Sequence, residues 1–512
     1  MHSWSQGYVT DISYTKGYYS TLNPLRIKLC FLAQGLMPPK IKNACELGFG
    51  QGISLNFNAT NPTITWYGTD FNPSQAAFAR HLSEISQTSL NVYDDSFEEF
   101  LNRDLPEFDF ICLHGIYSWV SYKVREQIAE FISKKLRYGG VVMVSYNTQG
   151  GWAAISPLRD LIRAYSNYIT PVGQTSSVRT REGLEFIEEF MKLPSAETIT
   201  NPQISSMLQT LNKMDNTYLA HELCNENQVA FNFLQIGEEM ERAKLQFGTY
   251  ASFSDHLSNI QLSEQEREML QRVSYSRPVY EMLKDLMFAT SFRSDYWVRG
   301  AVSLSIPQCM EELLKLRVVL TVPYSQINYT LNTRRGVLNL NENFYAPIFE
   351  LLKENVPVEV VQIKEHLSKK LKREIVYNEL VEALIALTSK ECIKLAQDDE
   401  VIANSKPYTQ RLNAHILQEA LKTPDYIHHL ISPVTGEGVV LNRFELLFVY
   451  AYLNKGKKAG WADYVYELLS SHKEKIIKEG KELNENETKA ELASQEEKIK
   501  EWIPVFEKLG FF

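Results

Sequence analysis

The sequence predicts an α/β domain on a mostly parallel sheet, followed by mainly helical domains. Three observations lead there. Short apolar strands alternate with helical segments over the first 150 residues. A glycine-rich turn directly follows the first strand, and acidic residues close the next ones. From Ser263 onward the pattern is helical, with no comparable alternation. A chain of 512 residues also exceeds what one core supports.

Strands are expected at residues 43–47, 65–69, 90–93, 108–113 and 141–146, with helices near 73–84 and 121–136 between them. Tyr138-Gly139-Gly140 reads as the turn into the fifth strand. Residues 155–218 read as a helical insertion, interrupted by Pro194 and Pro202. Two extended segments near 229–234 and 245–250 are expected to complete the sheet, which places the end of the first domain at residue 260. Helical domains are then expected at 261–340, at 341–410 (winged-helix-like) and at 411–512. The Lys- and Glu-rich stretch 471–501 reads as a solvated helix carrying surface ion pairs.

With 44% apolar and 22% charged residues, the chain has a globular composition. Its net charge of −9 argues against general nucleic-acid binding, which demands a basic surface. No apolar run is long enough to span a bilayer, and the N-terminus lacks the pattern of a signal peptide, so a cytoplasmic protein without membrane insertion is expected. The six cysteines are scattered, with no metal-ligand spacing and no disulfide framework. No metal site is expected.

The strongest local signal is Glu46-Leu47-Gly48-Phe49-Gly50-Gln51-Gly52. Gly48, Gly50 and Gly52 allow a tight turn and close approach of a ligand to the backbone. The spacing is G-x-G-x-G, with Ile53 where a dinucleotide fold wants its third glycine. An acid before such a loop suits a cofactor with an amino-acid group: Glu46 meets its ammonium or fixes the loop, and helix N-terminal amides face its carboxylate. Asp70 ends the second strand, where a carboxylate accepts from ribose hydroxyls or else caps the next helix. Asp95, followed by Ser96 and Phe97, suits an adenine amino group and ring, with Asp94 as a competing choice. These features fall at the ends of successive strands, where open α/β sheets bind ligands.

In these motifs the chain resembles the class I methyltransferases. The resemblance narrows with His114-Gly115-Ile116-Tyr117-Ser118-Trp119-Val120, Tyr146-Asn147-Thr148-Gln149-Gly150-Gly151-Trp152, the segment from Phe292 to Gly300, and Ser432-Pro433-Val434-Thr435-Gly436-Glu437-Gly438. It is to bacterial enzymes that carry a methyltransferase regulatory domain, among them rickettsial protein lysine methyltransferases. Gly150 stands where a proline is expected and Phe49 where cysteine is common. The resemblance implies a Rossmann-like domain with a seven-stranded, mostly parallel sheet, S-adenosyl-L-methionine as cofactor, and a regulatory domain at 261–340. It implies transfer of a methyl group to a lysine of a protein substrate. A small-molecule acceptor and a non-catalytic scaffold are the alternatives, and a homodimer is left open.

An amine acceptor must be neutral to attack, and aromatic surroundings favour that form. Tyr117, Trp119, Tyr146 and Trp152 are the expected acceptor residues, with Tyr117→Phe expected to lower turnover and spare cofactor affinity. His114 either takes a proton or pins its loop beside the cofactor. Tyr14, Tyr18 and Tyr19 either close over the cofactor or pack the first helix. His221-Glu222 is a further acceptor-site candidate.

Overall fold

A computed structural model describes residues 12, 15–171, 173–195, 202–456, 460–478 and 481–512. Five strands form where alternation places them: β1 (Asn43–Leu47), β2 (Thr65–Thr69), β3 (Asn91–Tyr93), β4 (Phe108–Leu113) and β5 (Leu136–Asn147). Strand β5 is longer than expected. Gly139 donates to the Arg299 carbonyl at 2.8 Å and Arg299 to that of Gly140 at 3.0 Å, so the anticipated turn is paired into the sheet.

The sheet has seven strands in the order β3-β2-β1-β4-β5-β7-β6, completed by β6 (Gln246–Tyr250) and β7 (Phe292–Val298). Strands β1 to β5 pair in parallel, and β7 runs antiparallel to both of its neighbours. Residues 229–234 are not a strand. Phe231 makes one bridge to Thr148, and Asn232 then caps the helix Phe233–Glu241 through a capping box with Gln235. The strand expected there is β7, which sequence reading treated as the tail of a helical segment. Arg293 and Asp295 interrupt its apolar run, and they are tolerated because they pair with each other at 2.9 Å. The sheet therefore closes at Val298, and residue 260 is no boundary within it.

Helices α1 (Pro24–Leu32), α2 (Ile53–Ala59), α3 (Pro73–Ser86), α4 (Phe97–Leu101) and α5 (Tyr122–Lys135) flank the sheet. The inserted helices, Ser156–Tyr168, Ser176–Phe190, Pro202–Asn212 and Asn216–Cys224, bury Ile162, Leu184, Ile187, Leu219 and Leu223 in a core of their own.

Beyond the sheet, β8 (Arg317–Leu320) is followed by a separate hairpin of β9 (Thr330–Thr333) and β10 (Gly336–Asn339). Strand β8 then becomes the centre of a three-stranded sheet with β11 (Val358–Glu359) and β12 (Ile393–Ala396). The helices Val360–Leu371 and Tyr377–Ser389 lie between β11 and β12 in the chain. This is the strand–helix–helix–strand order of the expected winged-helix-like unit, but its central strand comes from upstream of residue 341.

In the C-terminal region, Leu412, Ile416, Phe448, Leu492 and Phe506 share one core with Ile53 and Phe57 of α2. The Ser432–Gly438 motif ties the parts together. Glu437, buried, binds Arg26 at 3.3 Å and Lys394 at 2.8 Å, and the Gly436 carbonyl accepts from Asn23 at 2.8 Å. The Lys/Glu-rich helix Glu485–Lys508 carries pairs such as Glu485–Lys489 at 2.7 Å while burying Leu492 and Ile499 on its other side. No described helix is long and apolar enough to cross a membrane.

Candidate active site

The glycine loop leaves β1 and turns back through Gly48, Gly50 and Gly52, all with positive φ. At Gly52 the need for glycine is double. Its φ of +70° is left-handed, and a Cβ would sit 2.5 Å from that of Ala79 in α3. The loop is held to the end of β2, where Gly50 N donates to Asp70 Oδ2 at 2.9 Å. Asn72 N donates to Asp70 Oδ1 at 3.0 Å, and Gln75, with its amide nitrogen turned inward, reaches both oxygens at 3.0 and 3.1 Å. Asn72, not Asp70, caps α3.

A cavity of about 260 Å³ opens over this loop at the carboxyl ends of β1 to β4. Glu46, Gly48, Gly50, Asp70, Asp95, Ser96, Phe97, His114 and Trp119 all line it, so sequence reading and structure converge on one place. Glu46 is 3% exposed, and its Oε2 is buried with no hydrogen-bond partner among the described residues. Burial, reinforced by the Asp70 charge, pushes Glu46 up to about 8, and burial takes Asp70 to about 7. A carboxylate oxygen buried without a donor costs roughly 1–3 kcal/mol. A ligand ammonium at this position removes that cost. Two neighbouring carboxylates and a glycine cradle thus fit a cofactor carrying an amino-acid group and a ribose.

Asp95 is less available than expected, because its carboxylate is gripped by Arg103, with Nη2 to Oδ1 at 2.8 Å. Asp94, exposed on the same rim, lines the cavity too. The Ser96 hydroxyl is committed to Glu99 at 2.7 Å in the capping box of α4. Phe71, Gln75, Gln127 and Asn227 also line it, and none of them was singled out as a site residue in the sequence.

A second cavity, of about 710 Å³, adjoins the first. Tyr19 and His114 line both, and their rings stack with centroids 3.9 Å apart. Tyr19 is fixed by its backbone N–H, which donates to Ser54 Oγ of α2 at 2.9 Å. Burial drops His114 to about 4, and its Nδ1 has no partner among the described residues. A ring with that pKa stays neutral at pH 7 and is a weak proton acceptor. The outer walls come from Ser252, Asp255, Thr290, Phe292 and Arg334, all missed in the sequence. One signal was present: Ser252 and Asp255 follow β6, which ends on the same edge of the sheet as β1 to β5.

The comparisons with known proteins follow this geometry. Residues 215–299 match the family described as predicted methyltransferase regulatory domain. An uncharacterized protein of Synechocystis sp., sll1526, is 35% identical over 99% of both chains. Another uncharacterized protein, RP789 of Rickettsia prowazekii, is 23% identical over 94% of this chain and 90% of its own length. Among solved structures, PKMT2 from Rickettsia typhi in complex with AdoHcy superposes with a TM-score of 0.70 at 18% identity, covering 96% of this chain and 99% of that one. The chain belongs to one family with sll1526, carries a segment matching the methyltransferase regulatory domain, and has the fold of the class I methyltransferases. The matched segment contains both β6 and β7, so it is part of the central sheet and does not start at residue 261.

Several of the expected acceptor residues line neither cavity. Tyr117 is fully buried, lines neither cavity, and donates to Glu239 at 2.5 Å. Tyr146 donates to Asp295 at 2.6 Å inside a buried cluster in which Arg293 also meets Glu281 at 2.9 Å and Asp285 at 3.2 Å. The reason is common to both: apolar burial of a ring forces its hydroxyl onto a nearby carboxylate. Trp152 packs in the core of the inserted helices. Glu222, raised to about 7 by burial, accepts from Tyr218 at 2.9 Å but lines neither cavity. Tyr14 lies outside the described residues. Gly150 has a packing reason, since a Cβ there would come within 2.7 Å of the Asp285 carbonyl.

Proposed function

We propose that this methyltransferase N-methylates a lysine side chain of a protein, with the acceptor entering through the larger cavity. The observation that carries the reading is that the two cavities share the Tyr19–His114 pair as a common wall. S-adenosylmethionine, when bound, supplies a methyl group already activated by its sulfonium. The residues that would hold it are Glu46 toward the ammonium, Asp70 toward the ribose, and Asp94 or Asp95 with Phe97 at the adenine end.

The chain's remaining work is positioning and exclusion of water. Tyr19, His114 and Phe292 present ring faces around the junction. Such a setting disfavours a charged amine and lowers the acceptor's pKa. Neutral His114 orients the acceptor, and the acceptor's proton leaves to solvent through the open side of the larger cavity. That cavity also supports a side chain reaching in from a macromolecule.

The test is transfer of labelled methyl from S-adenosylmethionine to a bacterial lysate separated into proteins and small metabolites, followed by acid hydrolysis. Methyl-lysine in the protein fraction is the expected product. Label confined to metabolites would overturn the protein-acceptor reading.

A further inference from the structure

We infer that Asp255 is the carboxylate that receives a cationic acceptor, and that the β9–β10 hairpin occupies it with Arg334, an internal cation standing where the substrate's would bind. The inference rests on the larger cavity being the acceptor entrance. Among the described residues lining that cavity, Asp255 is the one acid and Arg334 the one permanent cation.

The hairpin pairs with no other strand, and its two-residue turn is Arg334-Arg335. Isolated two-stranded hairpins are marginal, so this one depends on its ends. Its root is anchored: Leu331 is buried, and the Thr330 carbonyl accepts from Lys390 at 2.6 Å. Its tip reaches across to the segment carrying β6 and β7. Arg334 binds Asp255 Oδ1 at 2.7 Å and donates to Thr290 Oγ1 at 2.9 Å. Arg335 takes both Glu266 oxygens at 2.7 and 2.8 Å and the Met287 carbonyl at 2.6 Å, with its guanidinium over the Phe288 ring.

The two contacts differ in kind. The grip of Arg335 lies outside the cavity and holds the hairpin in place. The Arg334–Asp255 pair sits on the cavity wall, with the Arg334 side chain 35% exposed. A water-accessible pair of this sort contributes little, so an incoming ammonium displaces it at modest cost. Lys284 Nζ lies 3.4 Å from the Asp255 carbonyl and stays beside that residue after Arg334 leaves. The guanidinium thus makes entry selective for a cation able to replace it.

The experiment uses the full chain loaded with AdoHcy and a fluorescein-labelled peptide of ten lysines, read by anisotropy. Arg334→Ala should bind the peptide about two- to fivefold tighter than the unaltered protein. Asp255→Asn should weaken binding, and the double variant should lose the gain. Lys315→Ala, which removes a surface cation that does not line the cavity and leaves Asp255 paired, serves as control for general loss of positive charge. Equal affinity in Arg334→Ala and the unaltered protein, including no binding by either, overturns the inference. So does a gain that persists in the double variant. AdoHcy titration of the same proteins separates the two readings: AdoHcy binding with no peptide effect rejects the Asp255 assignment alone, whereas failure to bind AdoHcy removes the cofactor reading beneath it.

Discussion

Cofactor binding should release protons, and Glu46 should be their main source. The folded protein holds Glu46 at about 8 and Asp70 at about 7 because both are buried together. At pH 7 Glu46 is therefore mostly protonated and Asp70 partly so. An ammonium beside Glu46 and hydroxyls donating to Asp70 both favour the ionised carboxylates, so binding expels on the order of one proton. Titration calorimetry with AdoHcy at pH 7, repeated in phosphate, HEPES and Tris, reads that number from the dependence of the heat on buffer ionisation enthalpy. Glu46→Gln should reduce it to about half a proton and weaken binding. The same shift fixes the sign of the unliganded protein's stability. Folded carboxyls raised above their ordinary values bind more protons than unfolded ones, so their contribution is full below about pH 4 and is lost as pH rises through about 7 to 8. Heats that do not vary with buffer would refute the assignment of Glu46 to the ammonium.

Other outcomes follow from the same geometry. Asp70→Ala should abolish measurable AdoHcy binding and also free the Gly50 amide; unchanged affinity in calorimetry would remove Asp70 from the site. Gly52→Ala should cost about 1–2 kcal/mol for the left-handed backbone, plus the clash with Ala79, seen as a lower melting temperature; an unchanged melting temperature would contradict the loop geometry. Tyr117→Phe breaks a bond to Glu239 away from both cavities, so it should lose about 1 kcal/mol of stability and leave turnover near normal. A specific fall in turnover would return Tyr117 to the acceptor site. Arg293→Met strands three buried carboxyls and should destabilise the fold by about 3–5 kcal/mol in denaturant unfolding.

The sequence by itself determined the cofactor half of this protein. Strands β1, β2 and β4, the glycine loop, Glu46 and Asp70 are all local signals: apolar runs bounded by turns, and residues whose place follows from where a strand stops. The larger cavity, where we propose that the acceptor enters, is visible only in the tertiary structure. Strand β7 carries Arg293 and Asp295, which pair with each other, while Glu281 and Asp285 arrive from a helix to meet the same arginine. An exposed phenol and a buried one are identical in sequence, and the carboxylates that hold Tyr117 and Tyr146 lie 122 and 149 residues away. Asp255 and Arg334, 79 residues apart, form one wall because an independent hairpin folds back across the sheet. Pairing between distant charges leaves no periodicity in a sequence, since it depends on where the chain returns and not on how it repeats.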